Sequence, residues 1–62
     1  MTQEEKLKEI IKLMEEKGYD PASQLTGYID AGSVDYITRH GGAREMIADI
    51  PVELIKEYLK KQ

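Results

Sequence analysis

His40 is the only histidine of the chain, and it stands between Arg39 and the diglycine Gly41-Gly42. A loop there would present it as a general base, with Asp35 close enough in sequence to orient the ring. The surroundings argue otherwise. With no Cys to act as nucleophile or thiolate ligand, few Ser, and little room for a substrate pocket, a lone His at a helix end reads as a capping or surface residue. One histidine cannot build a metal centre unaided, so neither a catalytic group nor a metal or other cofactor is expected. The twelve carboxylates fall mostly on the polar faces of amphipathic segments, which is ordinary solvated surface.

Gly41-Gly42 followed by Ala43-Arg44 offers free amides and a guanidinium, the groups an anion needs at a helix start. Neither a phosphate-loop pattern nor a dinucleotide fingerprint surrounds it, so the diglycine reads as a turn. The same turn between two short helices invites comparison with DNA-reading motifs. Its second element carries Arg44 beside Glu45 and Asp49, which is poor for a recognition helix.

The elements that must position these residues are small. Sixty-two residues, 40% hydrophobic and 34% charged, make one domain, residues 1–62. A chain this short leaves much of its apolar surface open to water unless disulfides, metal or a second chain cover it. Without Cys, oligomerisation or tight helix packing remains, and a homodimer is expected. The formal charge of -3 is the wrong sign for affinity won by neutralising phosphates, so nucleic acid is not expected as a partner. A small helical nucleic-acid-binding domain using Arg39, Arg44 and the C-terminal lysines is the alternative reading. Apolar runs are short, pairs such as Ile10-Ile11 and at most the triplet Met46-Ile47-Ala48, so no membrane span or signal peptide is expected and the chain reads as cytoplasmic.

Periodicity predicts an all-α fold of four to five short helices. Over residues 2–17, Leu7, Ile10, Ile11 and Met14 recur at helical spacing. Thr2 and Glu5 have capping-box spacing, and Gly18 stands where a left-handed residue would end the helix. Asp20-Pro21 opens a second helix, with Asp20 expected to accept from first-turn amides and Leu25, Tyr28 and Ile29 on one face. Within it Gly27 would let another backbone approach closely, and Ala31-Gly32 closes it. Ser33 caps a short helix over Val34 to Arg39. A fourth covers Ala43 to about Ala48, and Pro51 starts the last, with Asp49 as its cap and Val52, Ile55 and Leu59 as its stripe, flanked by Leu54 and Tyr58.

The middle of the chain differs in charge from its ends. Residues 1–19, 20–50 and 51–62 carry -1, -3 and +1, and all seven Lys lie in the terminal helices, leaving Arg39 and Arg44 as the only cations between them. Arg is favoured over Lys where a planar fork must meet carboxylate or phosphate. Together with Tyr36, one of four tyrosines suited to interface anchoring, Arg39, His40 and Arg44 form the expected partner-binding set. In the structural alternative, Arg39 or Arg44 pairs with Asp35, Asp49 or carboxylates of the last helix.

Lys17-Gly18-Tyr19-Asp20-Pro21, then Gln24-Leu25, Gly27-Tyr28 and Gly32, and then Tyr36-Ile37-Thr38-Arg39-His40 through Ala43-Arg44 and Ile47 resemble the IreB family in order and spacing. The match covers about half of the chain. The resemblance implies a helical homodimeric regulatory phosphoprotein without enzymatic activity, cytoplasmic and bacterial. Its expected partner is another protein, in a pathway downstream of a transmembrane Ser/Thr kinase that responds to cell-wall stress. Members carry phosphoacceptor threonines in a longer N-terminal segment, where this sequence offers Thr2 as the candidate. Ser33-Val34-Asp35 stands where the family has D-P-A, and the stretch after Ile47 is shorter, so the sequence reads as a trimmed or divergent member.

Overall fold

The computed structural model describes all 62 residues and has four α-helices: α1 (Gln3–Glu16), α2 (Pro21–Ala31), α3 (Ala43–Ile47) and α4 (Val52–Lys60). Two single 3-10 turns, Val34–Tyr36 and His40–Gly42, interrupt the path between α2 and α3, and there is no strand.

Local chemistry accounts for α1 at both ends. The Glu5 amide donates to Thr2 Oγ1 at 3.1 Å while the Thr2 amide donates to Glu5 Oε1 at 2.7 Å, completing the reciprocal box. Hydrogen bonding from Thr2 to the carboxylate, its backbone amide first and its side chain second, holds the Glu5 carboxyl below its usual value. At the far end Gly18 takes φ +78°, and Gly18 and Tyr19 donate back to the carbonyls of Glu15 and Met14, both at 3.0 Å.

Two predicted caps are made differently. Asp20 precedes α2, but its carboxylate accepts the Ser23 hydroxyl at 2.8 Å and no first-turn amide. Asp49 does not cap α4. Pro51 holds the cap position, its carbonyl accepting the amides of Leu54 and Ile55 at 3.1 and 3.4 Å. Asp49 is drawn to α1: its Oδ2 lies 2.8 Å from Lys6 Nζ, and its carbonyl accepts from Gln3 Nε2 at 3.2 Å. The helix expected over Val34 to Arg39 is a single 3-10 turn. Ser33 caps it through the Asp35 amide, as its type suggests, but Ile37 then turns extended at φ -105°, ψ 137°. α3 ends one residue earlier than predicted, at Ile47.

The core is aliphatic. Leu7, Ile10, Leu13 and Met14 of α1 meet Leu25, Ile37, Ala43, Ile47, Ile50 and Ile55, and no polar or charged residue is buried with them. The α1 stripe therefore includes Leu13, and Ile11 moves to its half-buried flank. The reason is that α1 serves two neighbours, α2 and α3, so its buried face is wider than one seam. On α4, Ile55 is fully buried while Val52, expected in the same stripe, is exposed, and Leu54 in that first turn packs against the core in its place. No helix is long and apolar enough to cross a membrane.

Burial separates two adjacent isoleucines. Ile10→Ala removes a fully buried side chain and is expected to cost about 2–5 kcal/mol, whereas Ile11→Ala costs clearly less. Chemical denaturation of the two variants checks the difference. Equal losses would mean that α1 is rotated from this packing.

Candidate functional site

Residues 33–42 contain no α-helix, so their positions depend on a few fixed points. Ile37 is the deepest, at 1% exposure among the core side chains. Beside it the Thr38 amide donates to Gln24 Oε1 of α2 at 3.0 Å, and the Ile37 carbonyl accepts from Arg44 Nε of α3 at 2.8 Å. Arg44 Nη2 reaches the Asp35 carbonyl at 3.4 Å. Arg44 is thus a brace between α3 and the irregular segment. It binds backbone carbonyls and none of the carboxylates that were its expected structural partners.

Side chains on either side of extended Ile37 diverge. Tyr36 lays its ring against α2 at Gly27, where an added Cβ would stand 2.6 Å from the ring. The close approach foreseen at Gly27 is therefore made by an aromatic side chain, not by a backbone. The opposite face of that ring stays open, since Tyr36 is 53% exposed. Arg39 is exposed and belongs to neither ion pair of the chain, Lys6 with Asp49 or His40 with Glu16.

His40 reaches the end of α1, where Nε2 lies 3.0 Å from Glu16 Oε1. Its amide donates to Thr38 Oγ1 at 3.2 Å. The carboxylate that orients the ring is therefore Glu16, not Asp35. The chain next turns sharply at Gly41, φ +63°, where a Cβ would meet Leu13 Cδ2 at 2.5 Å. A side chain here would be strained by its backbone and would collide with the core, so the diglycine is a turn that seats α3.

Tyr36, Arg39, His40 and Arg44 consequently line one open concavity of about 700 Å³, together with Lys17, Tyr19, Gln24 and Thr38. Lys17 and Tyr19 flank the left-handed Gly18; the sequence marked both within the family resemblance and Tyr19 among the anchoring tyrosines, but placed neither in the partner-binding set. Gln24 and Thr38 stood only within the family resemblance and not in the expected binding set, because their roles arise from a contact between segments distant in the chain. No group of three or more His, Cys, Asp or Glu side chains is placed to hold a metal ion. Chemically, the concavity presents cationic and aromatic side chains on an open surface.

Thr2 lies apart from this set, at the opposite end of α1, a helix about 21 Å long by its rise per residue. It shares an open surface with Gln3, Glu4, Pro51, Glu53 and Glu57. A further cleft runs between α1 and α4 and is lined by Leu7, Ile11, Leu54 and Tyr58. Burial there, with the carboxylates of Glu15 and Asp20 adding to it, pushes the Tyr58 phenol above its usual value.

The structure is a small all-helical fold with its polar side chains gathered on an open surface. The family model for the IreB regulatory phosphoprotein matches residues 1–61, and the chain belongs to that family.

The contact between Tyr36 and Gly27 separates site geometry from stability. Gly27→Ala is expected to raise helix propensity in α2 by up to about 1 kcal/mol while pushing the half-exposed Tyr36 ring aside. Denaturation together with the NMR signals of the Tyr36 ring checks this. An unmoved ring would remove Gly27 from the positioning of the concavity.

Proposed function

We propose that the chain is a non-catalytic, homodimeric regulator that another protein reads at Tyr36, Arg39, His40 and Arg44, acting in the cytoplasm downstream of a Ser/Thr kinase. The convergence of those four residues on one concavity carries the reading. Membership of a family of regulatory phosphoproteins supports it.

Thr2 is the proposed phosphoacceptor. Its hydroxyl and amide are both engaged with Glu5, so modification requires the first turn of α1 to open. A phosphate there gains from the positive end of α1 but stands near Glu4, Glu5, Glu53 and Glu57. Repulsion then falls on the seam between the start of α1 and the start of α4. In this way a charge added at one end of the molecule acts on helix packing without touching the concavity.

Dimer formation is supported by apolar surface that one copy leaves incompletely covered. Ile11, Leu54 and Tyr58 are only partly buried along the cleft between α1 and α4, and Ile29 and Leu59 are in the same condition between α2 and α4. A domain of this size has little burial in reserve, so a second copy adds stability.

Two measurements test the proposal. Light scattering is expected to give a dimer mass, and the melting temperature is expected to fall over a hundredfold dilution; a monomer mass with an invariant melting temperature overturns the dimer. Arg39→Glu is expected to abolish co-purification of the native partner while helicity and dimer mass stay unchanged. Retention of the partner by that variant overturns the assignment of the concavity, and loss of helicity makes Arg39 structural.

A further inference from the structure

The cations of the concavity are set apart from the rest of the surface. Lys17, Arg39 and Arg44 face it against the single lining carboxylate of Asp35, on a chain whose formal charge is -3. Outside the concavity the chain carries six Lys against eleven Asp and Glu, so the balance of its remaining charge is negative. Among the three, Arg44 already donates to two carbonyls, while Lys17 and Arg39 are exposed and belong to neither ion pair. Glu16 lies 3.0 Å from His40 Nε2 and pairs with neither of those two cations.

Aromatic surface lies beside this charge. Tyr19 and Tyr36 are about half exposed, at 48% and 53%, and both line the same concavity. Tyrosine rings give contact area at small cost in side-chain entropy, Tyr36 being already packed against Gly27, and a neighbouring guanidinium supplies a fork that fits a carboxylate.

From this juxtaposition we infer that the occupant is a short acidic peptide segment of the partner protein, carboxylates meeting Lys17 and Arg39 and an intervening apolar side chain resting between Tyr19 and Tyr36. The inference rests on the proposed docking role of the concavity and specifies its chemistry. A long polyanion fits poorly, because the chain is net negative and the concavity offers only two cations outside hydrogen bonds and ion pairs for phosphate contact. A short segment meets only the patch. Complementary charge of this kind also rejects basic or neutral segments of similar shape, which gives the docking its selectivity.

The test uses the intact chain and three probes, read by backbone amide chemical shifts: the capped peptide acetyl-Glu-Glu-Leu-Glu-Glu-amide, its Gln counterpart, and a single-stranded oligodeoxythymidine of similar length. The acidic peptide is expected to shift Lys17, Tyr19, Thr38, Arg39 and His40. Its affinity is expected to fall roughly tenfold in the Lys17→Gln and Arg39→Gln variants, and again when salt rises from about 0.05 to about 0.5 M. The Gln peptide is expected to cause no comparable shifts. Equal binding of the Gln peptide, stronger binding of the oligonucleotide, or shifts centred on Lys56, Lys60 and Lys61 overturns the inference. So does movement of the same amides on dilution of the protein alone, which makes a second copy the occupant. If the peptide fails while Arg39→Glu still loses the native partner, the docking face stands and only its acidic occupant is wrong.

Discussion

One buried aliphatic side chain, Ile37, ties the irregular stretch between α2 and α3 to a core that is otherwise built by helices. Hydrophobic burial is non-directional, so on its own it would leave the flanking residues free to rotate about that point. Direction comes from the two polar bonds beside it, Thr38 to Gln24 and Arg44 to the Ile37 carbonyl. Together they fix both position and orientation. With Ile37 extended, Tyr36 is sent toward α2, and Arg39 and His40 are carried toward the end of α1.

The two arginines show how context divides a single residue type. Arg44 occupies a part-buried position where backbone carbonyls lack helical donors, and its fork satisfies them. Arg39, five residues earlier, meets solvent. An unpaired exposed guanidinium contributes little to stability, whereas removal of Arg44 leaves acceptors without partners in a part-buried place. Both charges nonetheless face the same concavity. Stability and recognition therefore share one surface and rest on different atoms.

What the sequence disclosed follows the range of the interactions involved. The box between Thr2 and Glu5, the left-handed ends at Gly18 and Gly32, and the Ser33 cap all involve residues a few positions apart, and the residue types announce them. Asp49 was misassigned because a lysine 43 positions away competes for its carboxylate. Leu13 and Ile50 escaped the periodic pattern, since the first serves a second neighbour of α1 and the second lies in a loop. The membership of the concavity was half legible. Arg39, His40 and Arg44 stand out by type, but the acceptors of Arg44 are backbone carbonyls, which every residue possesses and no sequence pattern marks. Lys17 and Tyr19 enter the site only because the end of α1 folds back beside His40.

All four aromatic side chains of the protein are tyrosines, and none belongs to the fully buried core. Two of them, Tyr19 and Tyr36, border the concavity, while Tyr28 and Tyr58 lie against the core from its edge. The near-ultraviolet optical signal of this molecule therefore originates at its periphery, and the aliphatic interior is spectroscopically silent. A loosened interior and a disturbed rim accordingly leave separate signatures: the first is seen by methyl resonances and heat capacity, the second by tyrosine absorbance and emission.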